Sequence, residues 1–465
     1  MPEQLSAVET ADRIRNREMT AREAVEAALG RIEAANPVLN AFVTLDPEGA
    51  LRQADAIDAS WDWDGRPGLL AGVPIGVKDL EPVAGLRWTN GSKAFANQVA
   101  TSDSVQVARL REHGAIIVGK TNTPEFGYKG FTENQLFGAT GNPWDPARTP
   151  GGSSGGSTSA VTSGMVPLCT ASDGGGSIRI PAAFSGCFGF KPSAGRIPRA
   201  GEHAPIWGTH STVGPVSRTV RDAARYLDAT VGPHPNDLDS LDGAVGVYEE
   251  AALRQPPRLR RIAWSADFGY AAVEPEVRRV AEAAARALAS ALGVELVEAH
   301  PGFEDPMATW YTMAAAGDAA LLDRLTPEQR SQFEPGFVAF ADQARGLGAA
   351  QMYEALDARH LLNRTMTTFF SDYDLLLTPT VAVTAFPAGG PPPFVIDCKK
   401  VTAAGYLPFT PVFNVTGHPA ASVPAGLAAN GLPVGLQVVV PRHADTLLLS
   451  VCAAYEAARP WSFPM

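Results

Sequence analysis

With 465 residues, 45% hydrophobic and 19% charged, the chain holds ample apolar material for a large core and too little charge for extended disorder. Lys and Arg number 38 against 49 Asp and Glu, a net charge of −11, and no basic stripe offers itself to nucleic acid or to an anionic membrane. The densest cationic patch, Arg254 to Arg261, reads as a solvated linker.

In chain order, residues 5–35 predict helices. Thr20-Ala21-Arg22-Glu23 matches a capping box, and Ala24, Val25, Ala28, Leu29 and Ile32 follow at helical spacing. Trp61 to Pro67 reads as a turn-rich connection, and Val73 to Val77 as a short strand leading into Lys78. Asp103 to Glu112 has a helical face (Val105, Val107, Ala108, Leu110) ended by Gly114, and Ala115 to Val118 is a buried strand. A polar loop from Gly119 to Gly127 and a turn-rich stretch reaching Pro150 follow. Ser157 to Val166 predicts a small-residue helix and Pro167 to Ala171 a short strand.

Beyond residue 200 the pattern thins. Ile262 to Trp264 is a strand, Pro275 to Leu292 an alanine-rich helix, and residues 303–370 are helical with many aromatic and Met side chains. Leu375 to Pro379 is a strand, Pro387 to Pro393 a stiff loop, residues 411–440 strands and turns, and Ala444 to Ala458 a closing helix. Buried strands alternating with helices predict an α/β fold with a mixed, mostly covered sheet, and no fixed repeat points to a solenoid or propeller.

Cys169, Cys187, Cys398 and Cys452 form no CxxC pair and read as buried free thiols of a reducing compartment, without metal. The first residues lack a basic, then apolar, leader pattern, and no run of 18 apolar residues exists, so a soluble cytoplasmic protein is expected.

Two glycine-rich segments carry the chemistry: Gly151-Gly152-Ser153-Ser154-Gly155-Gly156-Ser157 and Asp173-Gly174-Gly175-Gly176-Ser177-Ile178-Arg179. Such backbone admits close approach and lets main-chain N–H groups converge. A flexible linker would suit the first segment alone, yet closely spaced buried elements flank it. Neither segment ends in the Gly-Lys-Ser/Thr of a phosphate loop. Residues 152–156 fit Gly-x-Ser-x-Gly, with Ser154 at the centre and His418 or His443 as a distant base. That reading needs a strand directly before the serine, where Pro146 to Pro150 offers a loop, and it leaves Lys78 and Ser177 without roles.

From about residue 70 to 200 the chain resembles the amidase signature family. The matching pieces are Gly72-Val73-Pro74-Ile75-Gly76-Val77-Lys78-Asp79, Gly119-Lys120-Thr121-Asn122, Pro150 to Ser157, Gly175-Gly176-Ser177-Ile178-Arg179-Ile180-Pro181-Ala182 and Gly189-Phe190-Lys191-Pro192-Ser193. Phe413-Asn414-Val415-Thr416-Gly417-His418-Pro419-Ala420 and Gly431 to Gln437 extend the resemblance toward the C-terminus, while residues 300–400 match poorly. It implies a single domain over 1–465, with N-terminal helices in 1–70, the catalytic motifs in 71–200, and in 300–370 a variable helical region that is either a cap or ordinary helical core. It also implies Ser177 as nucleophile, Ser153 (behind a cis peptide bond) as proton relay, and Lys78 as base. Gly174, Gly175, Gly176 and Ser177 would offer oxyanion-hole amides. No cofactor or metal is implied, and the partner is a small-molecule amide-type substrate, not nucleic acid or membrane; a homodimer is left open.

The physics of these roles is coherent. A serine needs a base to become a nucleophile, and lysine serves as one only when loss of water lowers its pKa. Phe126, Gly127 and Tyr128, just beyond the Thr121-Asn122 loop, are candidate substrate contacts. The expected function is hydrolysis of an amide, anilide, carbamate (urethane) or ester through an acyl-enzyme. The alternatives are a glutaminase component of a tRNA-dependent amidotransferase and a non-catalytic binding protein on the same scaffold. Two departures stand out. Gly174 replaces a side chain common in the family, which predicts a looser loop or wider space beside the scissile bond, and Ala171-Ser172 replaces the usual Gly-Thr. Asp173 and Arg179 are expected to brace the loop by ion pairing.

Overall fold

The computed structural model describes residues 4–60, 68–201, 205–243 and 246–464, so the connection expected from Trp61 to Pro67 lies outside the described residues. In chain order the strands are β1 (Phe42–Leu45), β2 (Pro74–Lys78), β3 (Ile116–Thr121), β4 (Glu133–Asn134), β5 (Gly138–Ala139), β6 (Leu168–Asp173), β7 (Phe188–Lys191) and β8 (Thr212–Ser217). They continue with β9 (Ile262–Trp264), β10 (Leu296–Glu298), β11 (Leu375–Pro379), β12 (Val395–Ile396), β13 (Lys399–Lys400), β14 (Ala420–Leu427) and β15 (Pro433–Val439).

An 11-stranded sheet in the order β1-β3-β2-β6-β8-β7-β14-β15-β11-β9-β10 runs through the molecule, and helices flank it. It is mixed: β3–β2, β2–β6, β11–β9 and β9–β10 are parallel, and the other pairs antiparallel. Side chains of a strand alternate between faces, so β3 sends Ile117 into one apolar core while Ile116 and Val118 enter the other. Every residue of β2 is buried, because β3 and β6 flank it and both faces are covered. This central position takes Lys78, at the strand's last residue, out of water.

The Thr20 capping box forms as expected: Thr20 Oγ1 accepts from the Glu23 N–H and the Glu23 carboxylate accepts from the Thr20 N–H. The helix Pro275–Leu292 also has its expected bounds. Region 1–70 is not purely helical, however. Phe42–Leu45 is the edge strand β1, since Phe42 pairs with Thr121 beside a bulge and so escapes helical periodicity. Residues 303–370 fold as helices Met307–Asp323, Pro327–Arg330, Pro335–Asp342 and most of Ala349–Asp372. Two small apolar clusters centre on them, one around Trp310 and Phe340 that takes in Val415 and Trp207, the other around Phe333 and Phe337 that takes in Phe95 and Phe126.

One cysteine departs from expectation. Cys398 is exposed, in the two-residue turn between β12 and β13, where Asp397 (φ 46°) and Cys398 (φ 60°) are both left-handed. A tight hairpin turn of that hand points its residues outward, which the apolar neighbours in the sequence did not reveal.

Candidate active site

Lys78, Ser153 and Ser177 come from three different elements. Lys78 ends β2, Ser153 lies in the glycine loop before helix Gly155–Thr162, and Ser177 lies between β6 and helix Arg179–Ser185. The peptide bond Gly152–Ser153 is cis. A Cβ on Gly152 would meet the Phe131 backbone at 2.7 Å, so only glycine permits this path. Thr132 ties the loop down, donating from Oγ1 to the Gly151 carbonyl (2.9 Å) and accepting from the Gly155 N–H (3.1 Å). The Ser154 N–H donates to the Ser177 carbonyl at 3.2 Å and stitches the two serine segments together.

Lys78 Nζ lies 2.7 Å from Ser153 Oγ and 2.9 Å from both Ser154 Oγ and Ser172 Oγ. Its neighbour Lys120 is paired with a carboxylate, Asp79, at 2.9 Å, whereas among the described residues the Lys78 amine has only hydroxyl partners. Burial therefore dominates and pushes Lys78 down to about 7, although Glu81 and Asp173 pull it upward; Arg199 adds to the fall. A neutral amine donates two protons and accepts one. Ser154 Oγ donates to the Ser172 carbonyl at 3.3 Å, so it receives from Lys78, while Ser153, the shortest contact, is free to donate to it. Ser153 Oγ and Ser177 Oγ are not hydrogen-bonded to each other, and contacts of this kind commonly close only when substrate is bound.

The loop before Ser177 has all its carbonyls engaged. The Asp173 carbonyl accepts from Asn414 Nδ2 (2.7 Å), Gly174 from Trp310 Nε1 (2.7 Å), Gly175 from Thr410 Oγ1 (2.7 Å), and Gly176 from the Ile180 N–H (2.7 Å). A planar trans peptide then fixes the direction of the next N–H. The Gly176 N–H does not remain available: it donates to Asp173 Oδ1 at 2.7 Å. That corrects the expectation for Gly176. The amides of Gly174, Gly175 and Ser177 have no acceptor among the described residues and are the ones left for an oxyanion. Gly176 is needed for another reason, since its φ of 125° is closed to residues with a side chain.

Asp173 and Arg179 form the expected buried pair, with Nε and Nη2 of Arg179 reaching the two carboxylate oxygens at 2.9 and 2.8 Å. Arg179 also donates to Gln437 Oε1 and Asn414 Oδ1, both at 2.7 Å. Burial alone would raise the Asp173 pKa, but Arg179, Lys191 and Asn414 outweigh it and hold the carboxyl at about 2.

The expected looseness at Gly174 is absent. A Cβ there would lie 2.1 Å from Trp207 Cε3, so the missing side chain is replaced by an indole packed from outside. Of the candidate substrate contacts, Gly127 is beside the site: a Cβ on it would lie 3.0 Å from Ser153 Oγ. Phe126 instead stacks on Phe333 (5.6 Å), and Tyr128 donates to Glu334 Oε2 (2.9 Å), so both hold the helical region. The Ser154–histidine alternative finds no support. Ser154 contacts Lys78, and His418 is buried against Thr416 Oγ1 (2.8 Å) with burial pushing it down to about 3.

Sequence reasoning missed Ser154 and Ser172 as partners of the lysine, and Trp207 and Trp310 as partners of the glycine loop. The adjacent serine in the Ser-Ser pair and the Ser172 departure were the available signals for the first two. No local pattern marked the tryptophans.

The model of the amidase family matches residues 23–449. The chain is 38% identical to an acylamidase of Rhodococcus erythropolis, over 98% of this chain and 96% of that one. It is also 38% identical to a glutamyl-tRNA(Gln) amidotransferase subunit of Synechococcus sp. (strain RCC307), over 96% of each. Among solved structures, a bacterial aryl acylamidase of the amidase signature enzymes superposes with a TM-score of 0.93 at 31% identity, covering 98% of this chain and 97% of the other. The chain belongs to the amidase signature family, and it is a hydrolase of that family.

Proposed function

We propose that this member of the amidase signature family hydrolyses the C–N bond of a small or medium amide through an acyl-enzyme on Ser177. The observation that carries the reading is Lys78: buried, without a carboxylate partner, about 7 in pKa, and 2.7 Å from Ser153 Oγ. Neutral Lys78 accepts the Ser153 proton as Ser153 accepts the Ser177 proton, and Ser177 Oγ forms its bond to the substrate carbonyl carbon. The oxygen that gains negative charge accepts from the amides of Gly174, Gly175 and Ser177. When the C–N bond breaks, the proton returns through Ser153 to the leaving nitrogen. Water then attacks the ester, gives its proton to the same chain, and releases the acid with Ser177 reprotonated.

Anilides, carbamates and esters share the reacting carbonyl and are further substrate classes on this reading. A screen with p-nitroacetanilide, an aryl carbamate and an aryl ester tests it. The isolated chain is expected to turn over at least one, and Ser177→Ala to turn over none while unfolding at the wild-type temperature. Residual turnover by a folded Ser177→Ala above a hundredth of wild type removes Ser177 as nucleophile.

A second reading rests on the similarity to the amidotransferase component. In it the same chemistry releases ammonia from glutamine, and turnover requires a companion protein. Glutaminase activity confined to a co-purified complex, with no anilide turnover by the chain alone, would select it.

A further inference from the structure

The helical region and the oxyanion loop meet in a way that the nucleophile chemistry does not require. Trp310, from helix Met307–Asp323, donates from Nε1 to the Gly174 carbonyl at 2.7 Å, and this peptide's other polar group is the unengaged Gly175 N–H. A Cβ on Gly175 would sit 2.7 Å from Trp310 Cζ2. Trp207 packs edge-on against Trp310, centroids 5.5 Å apart and planes at 85°, and fills the space beside Gly174. Trp207 is held in turn: its Nε1 donates to Asp318 Oδ2 at 2.9 Å, two turns further along the Trp310 helix. Asp318 is wholly buried and its other oxygen has no partner among the described residues. A buried carboxyl is costly to maintain, and the bond to Trp207 is the one it makes.

We propose that Trp310, Trp207 and Asp318 are positioning residues that clamp the oxyanion loop, Trp310 aiming the Gly175 N–H through the carbonyl it holds. The helical region is then a working part of the catalytic machinery rather than a cover over it. An oxyanion donor acts only if it is already directed at the developing charge, so a rotated Gly174–Gly175 peptide slows bond formation without weakening initial binding. The inference rests on the Ser177 reading.

An alkyl fluorophosphonate tests both without requiring the natural substrate. Ser177 Oγ gives its proton to the Ser153–Lys78 chain and bonds to phosphorus, fluoride leaves, and the phosphoryl oxygen occupies the place of the oxyanion. In the wild type, labelling at Ser177 is expected, located by peptide mass spectrometry. Trp310→Phe keeps the ring but loses the donor, and the maximal inactivation rate is expected to fall about 10- to 100-fold with the half-saturating concentration within about threefold. Asp318→Asn retains an acceptor for Trp207 and should stay within about threefold of wild type. Asp318→Leu and Trp207→Leu should each lose about tenfold in the maximal rate. Absence of labelling in the wild type overturns the nucleophile reading and the clamp with it. Wild-type labelling matched by Trp310→Phe within twofold, or a loss carried by the half-saturating concentration, overturns the clamp alone. If Trp310→Phe does not fold, equal rates for Asp318→Asn and Asp318→Leu overturn it.

Discussion

Replacing Lys78 by methionine removes the titrating amine while keeping an unbranched side chain of similar length. The folded protein releases the Lys78 proton near pH 7, whereas the unfolded chain keeps it until about 10.5. Between those values the unfolded state binds more protons, so the lysine's contribution makes stability climb with pH, by about 1.4 kcal/mol per unit. Below pH 7 both states are protonated, and the whole cost of burying the charge, roughly 5 kcal/mol, is in place. Methionine has no such cost at any pH, and it leaves three serine hydroxyls short of a partner at every pH. The stability difference between Lys78→Met and wild type should therefore move by about 3 kcal/mol between pH 6 and pH 9, in the variant's favour at pH 6.

Urea unfolding of both proteins at the two pH values measures this. Subtraction removes other groups that titrate in this range, among them Lys191 (pushed down to about 7 by burial) and Glu125, Asp318 and Glu456 (pushed up to about 7 by burial). The kinetic counterpart is a wild-type kcat/KM that falls about tenfold per unit below pH 7, with no turnover by the variant at any pH. A stability difference that does not change with pH, or activity persisting undiminished at pH 5, refutes a neutral buried lysine.

Ser153→Ala interrupts the relay and should lower kcat by about 10²- to 10⁴-fold, whereas Ser154→Ala removes one of three lysine contacts and should cost less than tenfold; stopped assays on one anilide compare them. Asp173→Ala leaves the Arg179 charge buried and unpaired, which costs about 3–5 kcal/mol and should appear as a lower urea midpoint with the Ser177 loop loosened to proteolysis. Gly174→Ala puts a methyl group into the Trp207 ring; kcat should fall at least tenfold with a shift in tryptophan emission, and an unchanged emission maximum would contradict the packing.

Much of this was readable before any coordinates. Glycine runs beside serines and one lysine at the end of Val73–Val77 are local, since they depend on what each residue's own backbone and burial allow. The Thr20 box, the helix Pro275–Leu292 and the strand before Lys78 obey the same short-range rules. Edge strand β1 was lost because a four-residue strand with a bulge has too few alternating positions to compete with the helical pattern around it.

The residue order determined an α/β chain of the amidase type and, through its resemblance to that family, pointed to the lysine and both serines as candidates. It could not state which hydroxyls surround the lysine, which of the three glycine amides is engaged within the loop, or what fills the gap left at position 174. Contacts between residues far apart in the chain decided the first and the last, with Ser172 and Ser154 on Lys78 and Trp207 and Trp310 closing on the loop, while Asp173, only three residues before Gly176, captures its amide once the loop is folded around it. Propensity and periodicity act over a few residues, whereas desolvation and hydrogen-bond pairing depend on everything that packs nearby.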